Sequence, residues 1–257
     1  MSVAAMTMIE DIAPIELDEL IARAALLTRV DRKYLLTTTD LPDLLRGLPD
    51  DTRVLEIGDR REFGYESLYL DTPDLACYLA ATRQRRRRFK LRIRRYVDAD
   101  QRYLEVKVRG RRSTVVKHRV PHEAEDTVDA DAATRLLARV GPRWHPEQFT
   151  AQLHTSYHRT TLFLPASASR VTVDTGLRWE LVDGGAVRLP RHIIVETKSS
   201  HGSSEVDRLL WSLRHRPCAV SKYATGLAAL RPELPAHRWQ PVLRACALSP
   251  TPKGTDR

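Results

Sequence analysis

Much of this chain alternates between apolar and charged residues. Successive side chains of an extended strand point to opposite faces, so each strand-like stretch reads as two columns. Between residues 88 and 94 one column is Arg88, Lys90, Arg92 and Arg94, and the other is Phe89, Leu91 and Ile93. RYLEVKVRG then sets Glu105, Lys107 and Arg109 against Leu104, Val106 and Val108. STVVKHRV completes an antiparallel meander, its turns made by DADQ and by Gly110 with its arginines. Strands are also predicted in RVDRKYLLTT, TRVLEIG, EFGYESLYLD, QLHTSYHRTTLFL, SRVTVDTGLRWELV and HIIVETKSS; in the last, Ile193 and Val195 oppose Glu196 and Lys198.

Between the strands the spacing becomes helical. Ile15, Leu17, Leu20, Ile21, Ala24 and Leu27 share one face, which predicts an amphipathic helix over residues 14–28, a lid or plug. Short helices are predicted from Asp40 to Leu48, in PDLACYLAATRQ with Pro73 at its first turn, and near residues 132–140, 204–213 and 223–230. Residues 1–13 are expected to be disordered, residues 14–232 to form one domain, and the proline-rich residues 233–257 to be a loosely attached tail.

About eight strands suffice to close a barrel. The intervening helices can cover the apolar columns from outside, which turns the charged columns inward. The expected fold is therefore α+β, an antiparallel closed barrel of about eight strands with helices packed outside. An ordinary sheet with one wet face competes with it. The Glu-x-Lys pairs at strand centres, Glu105 with Lys107 and Glu196 with Lys198, favour the barrel. A charged lumen is costly unless it is occupied. A polyanion fits it, because guanidinium groups bind phosphate oxygens in pairs. Carboxylates among the cations make sense where they hold a divalent ion that bridges those oxygens.

Composition agrees. Lys and Arg number 42 against 33 Asp and Glu, a net charge of +9, so the expected partner is an anion: nucleic acid, nucleotide, phosphate polymer or acidic membrane. Cys77, Cys218 and Cys246 lie far apart without a Cys-x-x-Cys pair, which argues against disulfides and zinc and for a cytoplasmic location. The opening MSVAAMTMIEDIAP lacks the features of a signal peptide, and no apolar run reaches the roughly 18 residues of a transmembrane segment. The run Arg85 to Arg88 has little aromatic interleaving, so no specific nucleic-acid partner is expected. His118, His154, His158 and His192 lack metal-ligand spacing, Asp71 to Asp74 reads as turn and cap chemistry, and Trp179 reads as packing. Glu105 is open between an arginine partner and a metal.

RVDRKYLL, YESLYLDTP, FKLRIRRY, YLEVKVRG, VVKHRV, TSYHRTTL, VTVDTGLRW, IIVETKSS and VSKYATGL run in that order from Arg29 to Leu230. This series resembles the triphosphate tunnel metalloenzymes, and FKLRIRRY with Ser221, Lys222 and Tyr223 is similar to the catalytic domain of vacuolar transporter chaperone (VTC) proteins. The resemblance implies an ATP-dependent polyphosphate polymerase that transfers the γ-phosphoryl group of ATP to a growing inorganic polyphosphate chain, with Mn²⁺ or Mg²⁺ as cofactor. It implies catalytic roles for Arg92, Arg94, Lys107, Arg159 and Lys222. Further substrate contacts are implied for Lys33, Arg109, Lys117, Tyr157, Lys198 and Ser221, and a metal-binding role for Glu196. Arg29 and Asp31 stand where many tunnel enzymes carry paired glutamates, and Arg109 where histidine is expected in the eukaryotic enzymes. The alternatives are a triphosphatase on the same scaffold and a non-catalytic module that binds polyphosphate or inositol polyphosphate.

Overall fold

The computed structural model describes residues 3–24, 30–109, 115–124, 128–200, 202–246 and 248–250. In chain order its elements are α1 (Val3–Glu10), β1 (Ala13–Ile15), α2 (Leu17–Arg23), β2 (Val30–Thr37), α3 (Leu41–Arg46), β3 (Arg53–Leu55), β4 (Glu62–Asp71), α4 (Ala76–Thr82), β5 (Arg88–Tyr96), β6 (Gln101–Arg109) and β7 (Val115–Pro121). There follow α5 (Ala130–Ala138), β8 (Thr150–Leu164), β9 (Ser169–Leu181), β10 (Ala186–Arg188), β11 (His192–Ser199), α6 (Glu205–Ser212), α7 (Lys222–Leu230), α8 (Gln240–Ala245) and β12 (Ser249–Pro250). The fold is α+β, with antiparallel ladders and one short parallel pair between β1 and β3. It divides into two compact units: Met1–Phe63, His158–Leu177 and Leu189–Val220 form the first, and Gly64–Tyr157, Arg178–Arg188 and Ser221–Arg257 the second.

In the first unit β11 pairs with both β2 and β9. Glu196 faces Lys33 and Thr172, and Lys198 faces Asp31 and Arg170. The intervening residues turn the other way, so Tyr34, Leu36, Val171, Val173, Ile193 and Val195 enter one core with Ala5 and Ile9 of α1, Leu41 and Leu44 of α3, and Val206 and Leu210 of α6. Asp207, fully buried, ties α6 to the strands. It accepts from Tyr34 Oη at 2.7 Å, Thr197 Oγ1 at 2.6 Å and the Ser204 amide at 2.8 Å.

The second unit contains the β4–β5–β6–β7 meander, in register through Leu68, Ile93, Leu104 and Val120. Its apolar column, with Leu70, Phe89, Leu91 and Val106, packs on Ala132, Ala133, Leu136 and Leu137 of α5. Asp129 starts that helix by accepting from the Ala132 amide at 2.9 Å. The apolar column is thus under a helix and the charged column on the opposite face, as the alternation predicts.

Four expectations change. Among the described residues β7 pairs only with β6 and β2 only with β11, so hydrogen bonding does not complete the closed eight-strand ring. β7 carries Lys117, His118 and Arg119, and such an edge resists a further strand. Residues 3–10, expected to be disordered, form α1 because Ala5 and Ile9, one turn apart, are buried. In place of one helix over residues 14–28, Ala13–Ile15 pairs with β3 and α2 spans Leu17–Arg23; residues 25–28 lie outside those described. Within the expected tail, residues 233–246 are not loose: Ala236, Trp239, Val242 and Cys246 are buried, because apolar side chains recur among the prolines; residues 251–257 lie outside those described. No helix among the described residues is long and apolar enough to cross a membrane.

Trp179 Nε1 donates to the Lys222 carbonyl at 2.6 Å, and its ring lies against Gly226 so closely that a Cβ there would sit 2.1 Å from Trp179 Cδ1. Gly226→Ala is therefore expected to cost about 1–3 kcal/mol by overpacking. Thermal unfolding checks this, and an unchanged Tm would contradict the packing.

Candidate functional site

On the polar face of the second unit the strand register opposes like charges. Arg88 faces Arg109, Lys90 faces Lys107 and Lys107 faces Lys117; Arg92 and Arg119 flank Glu105. Like charges directly opposite destabilise a sheet. Glu105, 1% exposed, relieves part of that repulsion. Its Oε2 accepts from Arg92 Nη2 at 2.6 Å and Nε at 2.9 Å, and its Oε1 from Lys117 Nζ at 3.2 Å. Burial raises the Glu105 pKa, but Arg92, Arg94 and Lys117 outweigh it and hold the carboxyl at about 2. Burial likewise opposes the charge of Arg92, yet Tyr69 and Glu105 keep its pKa above the ordinary arginine value. Tyr69 accepts from Arg92 Nη1 at 3.1 Å, and although burial raises its pKa, Arg92 and Arg94 bring it below that of an ordinary phenol.

Arg94, 6% exposed, donates to Tyr157 Oη at 3.0 Å and to Ser67 Oγ at 3.3 Å. Tyr157 stacks on Tyr65 with ring centres 5.3 Å apart, and the Lys222 ammonium lies 4.2 Å from the Tyr157 ring centre. Lys222 opens α7, capped by Ser221, whose Oγ accepts from the Ala224 amide at 3.1 Å and from Lys90 Nζ at 2.6 Å. The fully buried Asp71 fixes α7 in place. It accepts from the Thr72 and Cys77 amides at 2.8 Å, the Tyr78 amide at 2.9 Å and Tyr223 Oη at 2.6 Å. Turn and cap chemistry accounts for three of these bonds, and the fourth links YLDTP to SKY across 152 residues.

Lys33, Arg159, Glu196 and Lys198 belong to the first unit. Arg159 makes a two-point pair with Asp174 at 2.6 and 2.9 Å. Lys33 Nζ donates to the Val220 carbonyl at 3.4 Å. Lys198 Nζ lies 3.3 Å from Glu196 Oε2 and 3.4 Å from Thr172 Oγ1. Burial lowers the Lys198 pKa and the Glu196 carboxylate restores it only in part, leaving it at about 8. Among the described residues no three His, Cys, Asp or Glu side chains converge on a metal position. Glu196 offers one carboxylate, and Asp174 is engaged by Arg159. Glu196, which lies against Lys198, is a single ligand, so a divalent ion held there would need the rest of its shell from outside the described side chains.

The expected residues thus fall into two groups, each within one unit. Arg92, Arg94, Lys107, Lys117, Tyr157, Ser221 and Lys222 share the polar face of the second with Arg109, which stands at the end of β6 opposite Arg88. Glu105, open in the sequence between an arginine partner and a metal, pairs with Arg92 and Lys117. The residues missed were Tyr69, Lys90 and Asp71. Tyr69 and Lys90 carry a signal in the alternation, since Tyr69 is two residues from Ser67 and Lys90 lies in the Arg88 to Arg94 column.

The VTC domain family model matches residues 28–231. No curated protein matches the chain significantly. Among solved structures, a candidate adenylyl cyclase from Hippeastrum, described as having a dominant triphosphatase activity, is 13% identical, with 82% of this chain and 100% of that one covered at a TM-score of 0.48. A protein from Pyrococcus horikoshii is 14% identical, covering 76% and 93% at 0.42. A candidate adenylate cyclase from Vibrio parahaemolyticus is 13% identical, covering 72% and 86% at 0.40.

Because its folded-state pKa of about 2 lies below the ordinary 4.5, Glu105 contributes stability that is full above pH 4.5 and is lost as pH falls toward 2. Glu105→Gln should lower the unfolding free energy at neutral pH by on the order of 3 kcal/mol, since it strands buried cations. Denaturant titrations should show the gap from wild type narrowing as the pH approaches 2; a gap independent of pH would refute the assignment.

Proposed function

Because the chain belongs to the VTC domain family, we propose that it is a phosphotransferase that moves the γ-phosphoryl group of ATP onto a growing inorganic polyphosphate chain. The polar face of β5, β6 and β7 carries this reading, with its rows of opposed cations held by one buried carboxylate. Such a face loses stability when empty and regains it when phosphate oxygens take up the positive charge. Under this reading the strands close into a barrel, their charged columns surround the phosphate chain, and the protein works in the cytoplasm.

In the transfer, a terminal oxygen of the chain attacks the γ-phosphorus of ATP. One P–O bond forms to that oxygen, the bond from the γ-phosphorus to the β–γ bridging oxygen breaks, and ADP leaves. The attacking oxygen is already anionic, so neither a protein nucleophile nor a general base is required. What the protein must supply is position and charge neutralisation. Arg92, Arg94, Lys107 and Lys222 would neutralise charge on the reacting phosphates, Lys117 and Arg109 would extend the grip, and the Tyr157 and Ser221 hydroxyls would orient phosphate oxygens. In the first unit Lys33, Arg159 and Lys198 would contact phosphate, and Glu196 would lend its carboxylate to Mn²⁺ or Mg²⁺. When bound, that ion would help to neutralise negative charge on the phosphates.

Incubation with ATP and Mn²⁺ should yield long phosphate chains and ADP, and both should disappear in Arg94→Ala and Glu196→Ala. Free phosphate without chains would make the protein a triphosphatase, and no turnover would make it a binding module. Affinity for tripolyphosphate should fall as the pH rises through about 8, because Lys198 is cationic below that value and neutral above it. The fall should be roughly tenfold and should be absent in Lys198→Arg, whose guanidinium stays charged. A slope that persists in Lys198→Arg would assign the pH dependence to another group.

A further inference from the structure

Three guanidinium groups repel one another at the end of the meander remote from Arg94. Arg88 is the first residue of β5 and faces Arg109, the last residue of β6. The third, Arg238, comes from the C-terminal segment, beyond residue 231 where the family match ends. Residues 235–239 of that segment are held in place. Tyr78 of α4 donates to the Pro235 carbonyl at 3.1 Å, Ala236 and Trp239 are buried, and the Arg238 guanidinium lies 5.3 Å from the Trp239 ring centre.

The three groups differ from Arg92, which lies among cations but has Glu105 as its counter-charge. Among the described residues Arg88, Arg109 and Arg238 form no ion pair with a carboxylate. Arg88 Nη1 donates to the Arg85 carbonyl at 2.7 Å, while Arg238 Nε is buried without a hydrogen-bond partner. Burial, then the repulsion of Arg109 and Arg238, lowers the Arg88 pKa; burial and Arg109 lower that of Arg238. A half-buried cluster that repels itself and finds no carboxylate among the described residues is stabilised by an outside anion.

The same strand face says which anion. Arg88, Lys90 and Arg92 point the same way at alternate positions of β5, and Arg109, Lys107 and Glu105 match them across the ladder. The cations therefore form a track, and its two ends on β5, Arg88 and Arg92, are roughly 13 Å apart at the rise of an extended strand. That exceeds the span of a triphosphate group. We propose that Arg88, Arg109 and Arg238 form a separate subsite for a long inorganic polyphosphate chain, gripping phosphates several units away from those held at Arg92. The inference rests on the polyphosphate reading above, and it assigns to the C-terminal segment the task of telling a long chain from a short one.

The test is equilibrium binding of long-chain polyphosphate and of tripolyphosphate to the full-length protein. Arg238→Gln should weaken the long chain by about tenfold, the loss of one charge-assisted contact, and shift tripolyphosphate by less than about twofold. Arg238→Lys should recover most of the long-chain affinity. The Tm of Arg238→Gln should stay level or rise, because a repelling charge is removed. Unchanged long-chain binding, or an equal loss for both ligands with a lower Tm, overturns the inference. So does single-stranded RNA competing as well as polyphosphate at equal phosphate concentration. Wild-type protein that binds long chains through Arg238 but makes none from ATP sinks the proposed reaction and leaves the subsite standing; wild-type protein that binds no polyphosphate overturns both.

Discussion

The ion pair between Arg92 and Glu105 governs the polar face of the meander. Three adjacent strands present lysine against lysine and arginine against arginine there, an arrangement that a sheet ordinarily avoids. One carboxylate, almost wholly removed from water and contacted by Arg92 and Lys117, makes the arrangement tolerable without neutralising it. More carboxylates would give a steadier sheet with no affinity for anions, and none at all would leave Arg92 buried beside other cations. The chain stands between these limits, with its cations tolerated but not cancelled.

A second requirement is rigidity, because cations on mobile side chains bind phosphate without placing it. Each unit meets it with a fully buried aspartate that ties a helix to strands. Asp71 joins the start of α4 to Tyr223 on α7, so that Ser221 and Lys222 are presented from a fixed helix end. Asp207 joins α6 to Tyr34 on β2 and Thr197 on β11, next to the register that holds Lys33, Glu196 and Lys198. Trp179 adds a hydrogen bond to the Lys222 carbonyl from below. The helix end that presents Ser221 and Lys222, and the strands that carry Lys33, Glu196 and Lys198, are thus anchored by buried hydrogen bonds.

The alternating columns made the strands readable, and the extent of EFGYESLYLD in the sequence coincides with β4. Period-two patterning is forced on a strand with one apolar face, which is why the alternation alone assigns the core positions of β5 and β6. Partnerships between distant segments were not readable. The sequence around Asp71 has every sign of a local turn, and nothing in it points to Tyr223. Asp40, where a helix is predicted to begin, stands at the N-cap position of α3, but its side chain accepts from the Thr37 amide at 2.7 Å, at the end of β2. The prolines after residue 232 disguised a segment that docks through Ala236, Trp239 and Val242, since proline content measures helix breaking and says nothing of docking.

The link from Asp71 to Tyr223 also imposes an order of events during synthesis. A ribosome delivers Asp71, the meander and its cations long before Tyr223, and for that interval the buried carboxylate has its three amide donors but lacks its fourth. Strand β2 waits in the same way for β11, whose residues pair with it only after some 160 more have been made, as Lys33 with Glu196 shows. The nascent chain must therefore carry an exposed, strongly basic sheet through a cell full of anionic polymers until its last third emerges. Its folding is open during that time to capture by such polymers.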